Sequence, residues 1–211
     1  MAAEGRSPRT KDGSGRQQAR GRKLARNRVF EVAADLFYRE GVRAVGVEAI
    51  VKQAGVAKIS LYRSFPSKDD LVIAYLEDQR AEFWRRWDEV CERHKADPRA
   101  QVGAVMAYIA HRTTQRGYRG CPFINFSAEF ADTSHPGRQV VKAVKRDMRE
   151  RFVGMAEAMA ARRPQQLADA LLLLVEGAHA ISQTLNAGLH GPGNAIVWAA
   201  DALIEAQLRK V

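Results

Sequence analysis

The stretch that most limits what this chain can become is Val47–Phe65, VEAIVKQAGVAKISLYRSF. Val47, Ile50, Val51 and Ala54 recur at i, i+3, i+4 and i+7, one apolar stripe of a short helix. Gly55 supplies a residue that can turn left-handed and end that helix, and Val56 is an apolar plug in the turn. A second short helix is predicted from about Ala57 to Ser64, with Leu61 and Phe65 facing inward and Lys58, Ser60, Tyr62 and Arg63 facing outward. Two short helices joined by a tight glycine turn can lay the second in a DNA major groove, where Lys, Arg, Ser and Tyr reach base edges and phosphates. The outward set is positive and rich in donors, so the pattern predicts double-stranded DNA as a partner.

The flanking segments fit that partner. From Arg22 to Glu40 the apolar residues Leu24, Val29, Val32, Ala33, Leu36 and Phe37 recur at helical spacing, and Gly41 stops the run. Arg22, Lys23, Arg26 and Arg28 crowd the start of this first helix, where the macrodipole disfavours cations, which hints at an anion outside the chain. Residues Met1–Gly21 are Gly, Ser, Arg and Gln with almost nothing to bury, and read as a disordered basic arm. Of the formal charge of +10, Met1–Arg28 holds +7, from nine Lys or Arg against Glu4 and Asp12. That asymmetry fits either phosphate contact at one end or a solvating tail.

Beyond Pro66, Ser67 and Asp70 form a capping-box-like start for a long helix, Lys68 to about Arg93, spanning roughly 40 Å. Lys68, at its start, reads either as a phosphate contact or as a solvated side chain. Asp97 and Pro98 open a helix to about Arg116, and a Gly-rich link, GYRG, leads to Cys121, Pro122 and the short aromatic helix FINFSAEF. A basic amphipathic helix follows from Pro136 to about Arg163, and a Leu-rich one from Pro164. AGLHGPGN breaks the latter, and a last helix carries Ile196, Val197, Ala200, Leu203, Ile204 and Leu208. With no period-two strand pattern and no Asn-Gly hairpin, the predicted fold is all-α.

The helix preceding the pair, VFEVAADLFYREGVRAVGVEAI, the AGV turn, the LYRSF sequence and the FPSKDDL helix start occur in order and spacing that resemble the DNA-binding segment of the tetracycline-repressor (TetR) family, over about 55 residues. Gly46, Val51 and Ile59 depart from the family's usual small or capping residues. The resemblance implies a three-helix DNA-binding domain over 22–66 and a helical effector-binding and dimerisation domain over 67–211. Arg26, Val47, Ala57, Lys58, Ser60, Leu61, Tyr62, Arg63 and Lys68 are the expected DNA-binding positions. It further implies that the last two helices pair with a second copy through Leu171, Leu174, Ile181, Leu185, Ile196, Ala200, Leu203 and Ile204, although these residues also suit a monomer core. Such a homodimer places paired reading helices about 34–36 Å apart on a roughly palindromic operator.

Family members commonly hold a small-molecule pocket among their C-terminal helices. Here the resemblance points to Trp84, Trp87, Tyr108, Cys121, Phe126, Phe152 and His179, each of which also reads as plain core. Cys121 lies between a glycine hinge and a helix start, near Arg119, where a thiol pKa can fall; it reads either as a sensor of electrophiles or oxidants or as a buried inert thiol. An enzyme is not expected, since no GxSxG, Gly-rich phosphate loop, HExxH or CxxC occurs and no His pair stands at i, i+4. His135 and His190, in Gly/Pro turns, are expected to be solvated. No cofactor or metal is implied. Two unclustered cysteines, no long apolar run and no signal-like N-terminus predict a cytoplasmic protein with no membrane partner. The expectation is therefore a regulator, a repressor that leaves DNA when a small molecule enters its body, with thiol sensing through Cys121 as the alternative.

Overall fold

A computed structural model describes residues 12–185 and 191–208, and among them every long element is a helix. In chain order these are α1 (Asp12–Glu40), α2 (Val47–Ala54), α3 (Lys58–Ser64), α4 (Lys68–Glu92), α5 (Pro98–Thr113), α6 (Pro122–Glu129), α7 (Pro136–Ala158), α8 (Pro164–Leu185) and α9 (Ala195–Leu208), with a 3₁₀ turn at Pro192–Asn194 before α9. The all-α expectation holds for them. None of the described helices is long and apolar enough to cross a membrane. The chain divides between Leu71 and Val72 into two compact units.

In the first unit α1 starts at Asp12 rather than Arg22, so the second half of the expected disordered arm is helical. Gln, Arg, Ala and Lys between Arg16 and Arg26 are good helix formers and outweigh the single Gly21. Residues 1–11 of the arm lie outside the described residues. Gly41, at φ +96°, ends α1, its N–H reaching Phe37 O at 3.1 Å. Val29, Ala33, Leu36 and Phe37 of α1 are buried with Ile50, Ala54 and Leu61, so α1 is the floor on which α2 and α3 rest. Fully burying each Ile or Leu contributes roughly 1.5–3 kcal/mol.

Ser67 and Asp70 form a complete capping box. Ser67 Oγ accepts from Asp70 N–H at 3.0 Å, and Asp70 Oδ2 accepts from Ser67 N–H at 2.9 Å. In the second unit a proline opens each of α5, α6, α7 and α8, where its missing N–H costs nothing. Asp97 caps α5 by accepting from Ala100 N–H at 3.0 Å. His135, expected in solvent, is half-buried and caps α7 through Nδ1, which accepts from Gly137 N–H at 3.0 Å. His190 lies outside the described residues. The helix α7 stops at Ala158, short of the expected Arg163, because Ala160 turns left-handed at φ +54°. Ala160 N–H bonds Glu157 O and Ala161 N–H bonds Ala156 O, the paired bonds of a Schellman ending.

The core of this unit joins Trp87 of α4, Met106 of α5, Met148 and Phe152 of α7, and Leu167, Leu171 and Val175 of α8. Helix α8 packs chiefly on α7, and α9 on α5 and α8. Four residues expected to face a second copy, Leu171, Ile196, Ala200 and Ile204, are instead at most 3% exposed inside this core. Much of the apolar breadth on α8 and α9 goes into their packing on α5 and α7. Leu174, Ile181 and Leu203 are half-buried, and Leu185 is exposed. The apolar side chains standing most fully in solvent on these helices are Leu173, 72% exposed, and Trp198, 75% exposed, neither singled out by periodicity.

Candidate DNA-reading face and effector cavity

The turn between α2 and α3 sets the reading face. Gly55 sits at φ +62°, its N–H bonds Lys52 O at 3.3 Å, and Val56 N–H bonds Val51 O at 3.1 Å. These two bonds close α2 and redirect the chain, so that only three residues separate the end of α2 from the start of α3. Leu61, with no exposed surface, and Phe65, 3% exposed, anchor α3 from below. Lys58, Ile59, Tyr62 and Arg63 stand out, Tyr62 at 41% exposure, and Ser60 is half-buried. Leu61 is thus a correction to the expected contacts: it positions α3 and presents nothing to a base. Ala57, exposed, holds the extended position before α3, and Val47 is half-buried at the start of α2.

Lys58 already has a partner. Its ammonium pairs with Glu48 Oε1 at 2.5 Å, and that hydrogen bond, then the carboxylate's charge, raises the Lys58 pKa above its ordinary value. Lys68 turns away from the expected phosphate or solvent position and donates to Val42 O at 2.7 Å. Beside α3 lies a cleft of about 960 Å³ lined by Arg22, Lys23 and Arg26 of α1 and by Ser60, Arg63 and Ser64 of α3. The Arg26 guanidinium carbon lies 4.9 Å from the centre of the Phe65 ring, a cation–π contact that limits its freedom. Four cations and no carboxylate line the cleft, a surface suited to a phosphate backbone.

In the second unit a cavity opens among α4 to α8. Its walls are Phe83 of α4, Tyr108 and Ile109 of α5, Phe123 of α6 and Met148 of α7; its polar lining is Gln79, Glu82, Arg112, Tyr118, Lys145 and His179. About 40 Å³ of it is open to the centre of a water-sized sphere, room for a few waters, so a larger occupant must push side chains aside. Gly120 forms part of the rim at φ +88°, where an added Cβ would stand 2.1 Å from Gln183 Nε2.

The polar groups are coupled. Tyr118 Oη and His179 Nδ1 share a hydrogen bond of 2.5 Å. Burial, then the nearby charges of Lys145 and Arg112, push the His179 pKa down to about 3, so the ring is neutral at physiological pH. Lys145 Nζ binds Glu176 Oε1 at 2.5 Å and lies 3.8 Å from Cys121 Sγ. Arg112 is half-buried, and among the described residues no carboxylate stands within ion-pair distance of it. Cys91 is half-buried and does not line this cavity, and burial pushes its thiol pKa up to about 11.

Of the pocket residues expected from sequence, Tyr108, Cys121 and His179 line the cavity. Trp87, Phe126 and Phe152 are at most 1% exposed and belong to the packed interior, Trp87 meeting Phe152 edge-on at 5.1 Å. Trp84 is half-buried beneath Arg151, whose guanidinium carbon is 4.3 Å above its ring. Arg112, Tyr118 and Lys145 were not anticipated. For Lys145 a signal existed: it falls with Val141, Met148 and Phe152 on the apolar stripe of α7, where a charge needs a reason.

Residues 29–75 match the model of bacterial regulatory proteins of the tetR family, and residues 98–191 that of the tetracyclin repressor-like C-terminal domain. A TetR-family transcriptional regulator from Streptomyces coelicolor, SCO4454, superposes with a TM-score of 0.83 at 26% identity, over 89% of this chain and 97% of that one. A tetr-transcriptional regulator from Streptomyces avermitilis is 32% identical over 87% of this chain and 97% of its own, with a TM-score of 0.75. The HTH-type transcriptional repressor NemR of Escherichia coli K12 is 26% identical over 117 residues, 55% of this chain and 59% of that protein. The chain therefore matches less than two thirds of NemR's length.

Proposed function

Because the chain belongs to the tetracycline-repressor family of DNA-binding transcription regulators, we propose that it works as a homodimeric repressor of a palindromic operator, released when a small molecule fills the cavity of its second unit. The observation that carries this reading is the outer face of α3, where Lys58, Tyr62 and Arg63 stand exposed beside a four-cation cleft. Lys58 and Tyr62 reach into the groove, Ser60 and Arg63 add base or phosphate contacts, and Arg22, Lys23 and Arg26 follow the backbone. Binding exchanges Glu48 for a phosphate or a base acceptor at Lys58. Exposed Leu173 and Trp198 support pairing of α8 and α9 with a second copy, since large apolar groups in solvent mark interaction surfaces. A named repressor among the relatives favours repression over activation.

The test is selection of bound fragments from random duplex DNA at near-physiological salt, with wild type beside a Lys58→Ala, Tyr62→Ala double variant. Enrichment of an inverted repeat by wild type alone is the expected result. Equal, motif-free binding by both, with the same steep salt dependence, would overturn sequence-specific reading.

A second reading, thiol sensing, is favoured by one contact. Cys121 Sγ lines the cavity with the Lys145 ammonium 3.8 Å away, where a thiolate would find a counter-charge. An electrophile entering the cavity would be captured as a thioether, the S–H proton passing to the adduct. A Cys121→Ser protein that still leaves its operator on exposure to the electrophile would remove this reading.

A further inference from the structure

The charge inventory of the cavity specifies its occupant more closely than its apolar walls do. Two carboxylates approach it. Glu82 is held by Arg85 and Arg86 through contacts of 2.6 and 3.0 Å, and Glu176 is held by Lys145. Each is already matched by a cation. His179 contributes hydrogen bonding without charge, since its ring is neutral at physiological pH. That leaves Arg112, half-buried, lining the cavity and within electrostatic reach of His179 without a carboxylate of its own.

We propose that the cavity takes an organic anion of single-ring size, with its carboxylate on Arg112 and Lys145 and its ring among Phe83, Tyr108 and Phe123. The proposal rests on the reading of this cavity as the effector site and names the class of effector. A neutral ligand closing the cavity strips water from Arg112 and returns at most a neutral acceptor with no counter-charge, and a cation adds repulsion. A carboxylate satisfies the guanidinium fork with two parallel hydrogen bonds and competes with Glu176 for Lys145. Aromatic walls set the ring's place, and the small free space limits it to one ring without larger movement of α4 and α6. The Lys145–Glu176 pair joins α7 to α8, so a carboxylate that takes Lys145 breaks a tie between two helices of the core.

The experiment uses matched probes on the full chain: benzoate, phenylacetate and cinnamate against benzamide, phenylacetamide and cinnamamide. Binding is read by calorimetry and by displacement of the selected operator. The expected result is that at least one acid binds and releases DNA while its amide binds about tenfold or more weakly. Arg112→Gln should lose a similar factor for the acid and nothing for the amide, with Arg112→Lys recovering part. Because Arg112 has no ion pair to lose, Arg112→Gln should melt within a few degrees of wild type, and Lys145→Gln gives an independent second variant. Amides binding as tightly as acids, or acid affinity unchanged in Arg112→Gln, would overturn the anion assignment while leaving the cavity an effector site. No binding by either member of any pair would overturn both for ligands of this size.

Discussion

Acidification should weaken the second unit through His179, and the size of the effect follows from its surroundings. The ring is 7% exposed, bonded to Tyr118, and held at a pKa of about 3 by burial and by the charges of Lys145 and Arg112; its ordinary value is 6.5. A base whose folded pKa is depressed takes up its proton first in the unfolded chain. Between pH 6.5 and about 3 the unfolded state therefore holds more protons, and stability falls as pH falls. At pH 5 the unfolded histidine lies 1.5 units below its pKa, and at about 1.36 kcal/mol per unit the loss relative to pH 7.5 is about 2 kcal/mol. The figure hardly depends on the folded pKa while that stays below about 4. Urea unfolding at the two pH values, followed by tryptophan fluorescence, measures it, because Trp84, Trp87 and Trp198 all belong to the second unit. The comparison protein is His179→Asn, whose amide takes the place of Nδ1 without titrating. Wild type should lose about 2 kcal/mol more than the variant between pH 7.5 and 5. Parallel losses in the two proteins would refute the claim that a buried neutral ring is held against its own protonation.

Leu61→Ala should destabilise the first unit by about 2–5 kcal/mol and abolish operator binding, leaving the tryptophan-monitored transition unchanged; circular dichroism and a gel-shift titration read the two effects. Gly55→Ala forces a side chain into φ +62° with Arg28 Nη2 3.4 Å away and should cost about 1–2 kcal/mol in thermal unfolding of that unit. Its mirror image, Ala160→Gly at φ +54°, should stabilise the second unit by about 0.5–1 kcal/mol in the urea assay. Glu48→Gln frees Lys58 from its ion pair and should tighten operator binding about two- to fivefold, whereas unchanged affinity would mean that Lys58 stays off the DNA.

What could be read from the sequence divides along the range of the interactions. The reading pair was legible because its determinants are local: four apolar residues at helical spacing, one glycine able to turn left-handed, and Leu61 and Phe65 one turn apart. The structure adds the two backbone bonds at Gly55 and Val56 that make the turn, which spacing only implied. Helix ends were less legible where the usual signal was missing. The end of α7 is formed by an alanine in a conformation that normally calls for glycine, and α1 begins at Asp12 in a Gly, Ser, Arg and Gln run with almost no apolar residue to mark a buried face.

The cavity was the least legible part, because its character comes from residues far apart in the chain. Aromatic residues were the natural candidates, yet Trp87, Phe126 and Phe152 are packed solid, since large rings fill a core more readily than they border a space. Of the residues that give the cavity its chemistry, Arg112 and Tyr118 look from sequence like the solvent side of a helix and a Gly-rich loop, and only Lys145 falls on an apolar stripe. They become interior when α5 and α7 close against α8 and bring His179 and Glu176 to them. A charged side chain on an apolar stripe, such as Lys145 between Val141 and Met148, is therefore better evidence for a binding cavity than an aromatic cluster. Burying an aromatic ring lowers the free energy of the fold by itself, whereas a half-buried ammonium or guanidinium raises it until a partner answers its charge. Lys145 has found that partner in Glu176 within the chain; among the described residues Arg112 has no carboxylate within ion-pair distance, which is why its substitution is the sharper test of the cavity's occupant.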